Sequence, residues 1–322
     1  MRQRARALAD MNGDRAEQLR QNWGAWAAAS SGGDYAAGGS LSEQFYRLAL
    51  ADGTPEHLAN AHMIQMTARY RIGDLVGAEE RFLRGEEFFA DPAFRRCADL
   101  VAQTYGNAAL IVWTLGDDLA AQRRVDHMLA TAREHADPYG LAYAHLMAAI
   151  HAILAGRCAR ASEFAANCID FCDQYGFAQF AAAARAALGR AKTGLGMAEE
   201  GTKLISEGVA GMLAGPVRVG ITMHMTWLAE AHLGARSIPQ ALEAAEQALR
   251  INPQERFMRP ESLRLRGEAR GGLGMFAQAE RDFLSAIELA NRMAAKRFTQ
   301  RATRSLQTLL RERAAGTALQ SR

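Results

Sequence analysis

The chain is poor in the residues that force a particular kind of fold. Its 322 residues include 4 Cys, 7 Pro and 7% aromatic residues, against 49% hydrophobic and 23% charged. Four cysteines, Cys97, Cys158, Cys168 and Cys172, are too few to staple a chain of this length, which excludes a disulfide-built fold. The apolar content excludes disorder, and the low proline content excludes a collagen-like chain. Val and Thr are sparse and no segment keeps a period of two, so a sheet is excluded as the main architecture. Only Lys192, Lys203 and Lys296 are lysines among 38 basic residues, and the net charge is +3 with both signs mixed along most of the chain. That field makes no case for nucleic acid or an anionic membrane as partner.

Long hydrophobic runs are also missing. The most membrane-like stretch, residues 139–156, lacks Lys, Arg, Asp and Glu, but it is rich in alanine and contains His145 and His151. It reads as a helix buried in protein, so no membrane partner is expected. No charged, apolar, small-residue leader precedes the fold, and Arg2, Arg4 and Arg6 among alanines read as a first helix rather than a targeting peptide. With few cysteines, a reducing cytoplasm is the expected compartment. Catalytic signatures are absent as well. There is no Gly-x-x-x-x-Gly-Lys-Ser/Thr, Gly-x-Ser-x-Gly, dinucleotide glycine fingerprint, Cys-x-x-Cys or His-Glu-x-x-His. Cys168 and Cys172, four apart with His151 and Cys158 on the preceding hairpin, read as small packing residues rather than a metal site. His145, His151, His224 and His232 read as core or groove histidines. The expectation is a non-enzymatic chain with no catalytic, cofactor-binding or metal residues.

What the sequence does hold is a beat of about 40 residues. A small residue, a residue at +4 and another at +7 recur as Ser42/Tyr46/Ala49, Ala78/Phe82/Gly85, Ala121/Val125/Met128, Ala161/Ala165/Cys168, Gly201/Ile205/Gly208, Ala241/Ala245/Ala248 and Ala279/Phe283/Ala286. Gly73, Gly116, Gly156, Gly196 and Gly274 each stand five residues ahead of a first member, where a left-handed turn ends a helix. Thr54-Pro55, Asp91-Pro92, Asp137-Pro138, Gly215-Pro216 and Arg259-Pro260 lie upstream of those turns and predict helix starts, because proline suits the first helical position. Each unit is therefore predicted to be a helix, a short turn and a second helix. The expected class is all-α, an α-solenoid with a right-handed superhelix of about seven antiparallel hairpins. It divides into N-terminal helices and a Gly/Ser-rich turn at 1–40, the repeat array at 41–290, and a basic capping helix and tail at 291–322.

Gly274-x-Phe276 with Ala279-x-x-x-Phe283-x-x-Ala286, and Ala241-x-x-x-Ala245-x-x-Ala248 with Pro253, resemble the second half of a tetratricopeptide repeat. The segment from Glu261 through Gly267, Glu268, Ala290 and Lys296 to Leu306 is similar to the C-terminal helical repeats of bacterial signalling ATPases and class III nucleotide cyclases. That likeness implies a regulatory role in bacterial signalling or transcription, with an ATPase or cyclase module as one partner, although no such module lies in this chain.

Solenoids of this kind bind along the concave face formed by the first helix of each hairpin. Placing the units in register puts Met63, Tyr70, Trp113, Tyr143 and Leu146 there, flanked by Asn60, Thr67, Gln103, Leu110, Ile150, Met223 and Thr226. Arg190, Glu230, Arg264 and Glu268 form a charged later end. An apolar centre with a polar rim suits a protein segment or peptide, with the four charged residues setting its orientation. The alternative is a small-molecule receptor, with the aromatic centre near Tyr70, Trp113 and Tyr143 enclosed as a pocket.

Overall fold

The structure, a computed structural model, describes residues 15–320. It is built from helices throughout, with no strand among the described residues. Seven antiparallel hairpins follow one another. They are α1 (Arg15–Gly32) with α2 (Tyr35–Asp52), α3 (Pro55–Ile72) with α4 (Leu75–Phe89), and α6 (Ala98–Leu115) with α7 (Asp118–His135). Then come α8 (Pro138–Leu154) with α9 (Cys158–Tyr175), α10 (Ala178–Gly194) with α11 (Ala198–Ala214), α12 (Ile221–Gly234) with α13 (Ile238–Ile251), and α14 (Arg259–Gly272) with α15 (Phe276–Arg292). A single turn, α5 (Pro92–Arg95), precedes the third hairpin, and α16 (Lys296–Gln320) follows the seventh. The array is an α-solenoid.

The turns form as the glycines dictate. Gly73, Gly116, Gly156, Gly196 and Gly274 all take positive φ, between 73° and 112°. At Gly73 the chain closes α3 by donating the Asp74 N–H to the Arg69 carbonyl, and Asp74 then caps α4 by accepting the Gly77 N–H at 3.0 Å. Gly33-Asp34 and Gly116-Asp117 repeat this arrangement, so one dipeptide both ends a helix and starts the next. In the sixth hairpin Arg236 stands where the others have glycine, at φ 57°.

Proline opens α3, α5, α8 and α14 as the sequence predicts. Gly215-Pro216 does not open a helix. The chain runs on as a loop to Gly220, because Val217 and Val219 favour extended backbone and Arg218 turns its guanidinium back onto the end of α11 at the Met212 and Leu213 carbonyls, 3.5 and 3.4 Å. A second correction concerns register. The buried positions of α2 include Gly38, Ser42 and Phe45, whereas Tyr46 is only half-buried. Gly38, five residues after Gly33, is thus the counterpart of Ala78, exactly one period earlier (78 − 38 = 40). Residues four apart share a helix face, so a one-turn slip leaves the pattern looking intact. The first hairpin also begins at Arg15, so the expected boundary at residue 41 falls inside α2.

Small landmark residues let helices approach to backbone contact. A Cβ at Gly208 of α11 would stand 2.6 Å from the Ala182 carbonyl oxygen of α10, and one at Gly189 of α10 would stand 2.6 Å from the Gly201 carbonyl oxygen. This is where the excess of Gly and Ala is used.

The solenoid also closes on itself. The Arg218 N–H donates to the Ser31 carbonyl at 2.7 Å, and the Asn252 side-chain amide donates to the Gly33 carbonyl at 2.9 Å. Gln254 accepts the Ala36 N–H at 2.8 Å, and the Arg256 N–H donates to the Arg71 carbonyl at 2.8 Å. The loops ahead of the sixth and seventh hairpins are thereby tied to the first and second.

Candidate functional site

Closure leaves a cavity of about 430 Å³ on the concave side. Its walls come from elements far apart in sequence. The first hairpin supplies Trp23, Trp26 and Tyr35, and the fourth and fifth supply Tyr139, Tyr143, Phe177 and Phe180. The rings touch one another: Trp23 and Trp26 have centroids 5.7 Å apart, Tyr139 lies 5.0 Å from Phe180, and Tyr143 lies 5.5 Å from Phe180. Val217 and Val219 of the 215–220 loop complete the apolar surface. Deeper in, a recess of about 90 Å³ shares Tyr143 and Phe180 and is lined by Tyr70, Leu110, Leu146, Ile150, Met223 and His224.

Few polar groups face this space. Arg71 does, but it is spent: its guanidinium meets Glu255 at 3.3 Å and packs over the Tyr70 ring at 4.9 Å. Burial alone favours its neutral form, but Tyr35, Tyr70 and Glu255 outweigh that and keep it protonated. The Tyr35 hydroxyl points to the same carboxylate at 3.4 Å, and burial with Glu255 pushes this phenol above its ordinary range. Burial raises Tyr143 to about 12, so it stays neutral and can donate. His224 accepts no charge here: burial holds it down at about 4, and its Nδ1 lies 2.7 Å from the Gly220 carbonyl, which fixes that nitrogen as the protonated one.

The sequence-derived groove residues separate into two groups. Tyr70, Tyr143 and Leu146 line the cavity or its recess, as do Thr67, Gln103, Leu110, Ile150 and Met223. Met63 is completely buried in the packing between helices. Trp113 is 5% exposed and lies edge-on to Phe298 of α16 at 6.5 Å, outside the cavity. The four charged residues meet one another and α16. Arg190 grips Glu230 with two bonds of 2.7 and 3.0 Å, and Arg264 holds both Glu261 at 3.0 Å and Glu268 at 2.6 Å. From α16, Arg301 reaches Glu261 at 3.0 Å and Ser305 reaches Glu268 at 2.6 Å. The space left beside Arg190, Glu230, Glu261 and Arg301 is about 10 Å³, room for one water at most.

Sequence reasoning missed Trp23, Trp26 and Tyr35 because it set the first hairpin apart from the array. It missed Phe177, Phe180, Val217 and Val219 because helices were expected to carry the whole face. Two signals were available: Trp23-x-x-Trp26 puts two indoles on one helix face, and the β-branched pair after Pro216 disfavours a helix. Among the described residues no group of His, Cys, Asp and Glu is arranged to hold a metal, and no helix is long and apolar enough to cross a membrane. Cys168 and Cys172 are free thiols packed with sulfurs 3.8 Å apart.

No protein-family profile matches the chain, and no curated protein matches it. Among solved structures, a Rap protein complexed with Competence and Sporulation Factor superposes on 93% of this chain and 99% of its own, with a TM-score of 0.56 and 10% identity. The apo form of RapI covers 79% of this chain and 99% of its own at TM-score 0.48 and 10% identity. A tetratricopeptide repeat protein from Parabacteroides merdae covers 88% and 98% at TM-score 0.48 and 13% identity. The likeness to the first of these is one of fold, a tetratricopeptide-like helical solenoid.

Proposed function

We propose that this chain is a non-enzymatic binding module that takes a short segment of a protein or peptide into the aromatic cavity on its concave face. The observation that carries this reading is the cavity itself, about 430 Å³ walled by rings from the first, fourth and fifth hairpins. Cavities of roughly 300–1,000 Å³ with a mostly apolar lining and few polar groups are what bound guests require. Tyr70, Tyr143 and Leu146 are the sequence-derived residues that serve it, with Trp23, Trp26 and Phe180 added by the structure. The Rap neighbour, solved with Competence and Sporulation Factor, supports a partner-binding role for this architecture. The sequence resemblance of residues 261–306 to repeats that accompany ATPase and cyclase modules supports regulation of such a module as the setting.

A small metabolite is the second reading, favoured by the closure of the cavity rim through Arg218 and Ser31. The test is affinity selection from two libraries, one of blocked random hexapeptides and one of metabolites, on the native chain and on Ala68→Trp. Ala68 is a half-buried cavity residue at which an indole fills the space. Peptides retained by the native chain and not by Ala68→Trp are expected. Retention of metabolites alone selects the second reading, and equal retention by both proteins overturns both.

A further inference from the structure

The polar groups that line the cavity are unevenly matched. Asp99, on the first turn of α6, lines it and makes no side-chain hydrogen bond or ion pair among the described residues. Its charge is felt by Tyr139, a cavity ring whose phenol it pushes upward after burial has done so, and more weakly by Tyr143, where Arg71 pulls the other way. The cation that might have balanced it, Arg71, is already neutralised by Glu255. The cavity is therefore left with one uncompensated negative charge within an aromatic wall.

Aromatic faces and a carboxylate attract the same kind of guest. A ring presents its negative quadrupole to a cation, an attraction that strengthens where water is excluded.

We infer that the cavity is selective for a basic residue of the bound segment, with its arginine or lysine side chain at Asp99 among Tyr139, Tyr143 and Phe180. This rests on the peptide-binding reading above and names the chemistry of the segment. An acidic segment is disfavoured twice, by Asp99 and by the ring faces. A purely apolar one satisfies the rings but leaves the carboxylate unpaired.

The experiment is the blocked-hexapeptide selection read by mass spectrometric sequencing, with native chain and Asp99→Asn compared side by side. Asp99→Asn keeps size and shape, and its fold is checked by circular dichroism and melting temperature. Retained peptides are expected to be enriched about tenfold in Arg and Lys over Asp and Glu on the native chain, equivalent to about 1.4 kcal/mol. On Asp99→Asn the enrichment should fall below about threefold while apolar residues stay enriched. Apolar enrichment with no preference for basic residues on the native chain overturns the inference and leaves the cavity reading standing. The same basic preference on both proteins also overturns it, by moving the source of selectivity away from Asp99. Failure to retain any peptide overturns both.

Discussion

The side-chain amide of Asn252 donates to the carbonyl of Gly33 at 2.9 Å across 219 residues of sequence. That single bond joins the loop before the seventh hairpin to the turn of the first. Gly33 sits at φ 82°, and a Cβ there would lie 2.8 Å from the Asn252 amide nitrogen. Both the left-handed backbone and the close approach require glycine.

Asn252→Ala is expected to lower stability by about 1 kcal/mol, the ordinary worth of one neutral hydrogen bond. Gly33→Ala should cost more, about 2 kcal/mol, since backbone strain is added to the collision. Urea denaturation measures both, and hydrogen exchange should show the added opening concentrated at residues 31–36 and 252–256. An Asn252→Ala variant as stable as the native chain would mean that the contact is not formed in solution.

Arg236 holds φ 57° at an exposed turn where the six other hairpins have glycine. Relief of left-handed strain in an L residue, roughly 1–2 kcal/mol, exceeds the entropy that glycine adds to the unfolded chain, about 0.5–1 kcal/mol. Arg236→Gly should therefore stabilise the protein by about 0.5–1 kcal/mol in urea titrations. A loss of stability would show that the arginine contributes a contact larger than the strain.

Gly208 packs α11 against the backbone of α10, with the Ala182 carbonyl oxygen 2.6 Å and the Ala186 nitrogen 2.7 Å from where a Cβ would stand. Backbone atoms cannot swing aside as a side chain does, so Gly208→Ala should cost about 2–3 kcal/mol despite alanine's better helix propensity. Gly24 and Gly39, on helices with nothing within 4 Å of an added Cβ, are the controls. Alanine at either should be neutral or stabilising by up to about 1 kcal/mol. A neutral Gly208→Ala would contradict the close crossing of α10 and α11.

His145, His151 and His224 are all buried, and burial holds each at about 4. Their folded values lie below the ordinary value of about 6.5. Above that value both states are neutral and stability is full. Between about pH 6.5 and 4 only the unfolded chain takes up protons, and stability falls as the pH falls. The slope is about 1.4 kcal/mol per pH unit for each histidine while the difference is one proton. His145→Leu should remove one such increment near pH 5, measured as the pH dependence of the urea unfolding free energy. An unchanged slope would place His145 in contact with solvent.

Much of the fold was legible because the period of 40 and the turn glycines are local requirements, each satisfied within one hairpin. The pairing of Arg190 with Glu230 is legible by the same rule: this pair, on the first helices of adjacent hairpins, and Glu261 with Arg301 of α16 are each 40 residues apart, so positions one period apart face each other. A basic and an acidic residue one period apart neutralise one another before any partner arrives. Tyr70, Tyr143 and Leu146 could be placed on the concave side because a helix face repeats. The meeting of Trp26 with Phe180 around one cavity could not, since it depends on how far seven hairpins turn. Small crossing angles accumulated over 200 residues set that rotation, and no local pattern encodes their sum. Nor does anything local announce that Val217 and Val219 leave the helical scheme to line the guest space.

The ties of Ser31 to Arg218 and of Gly33 to Asn252 also bear on how such a chain can vary over time. An open array gains or loses a unit with little consequence, since each unit answers only to its neighbours. Here the donor and acceptor meet only after a fixed accumulated rotation. Insertion or deletion of one hairpin between residues 35 and 251 would carry Asn252 away from Gly33 and separate the two halves of the aromatic wall. The number of hairpins is thus as much a determinant of the binding chamber as any side chain within it.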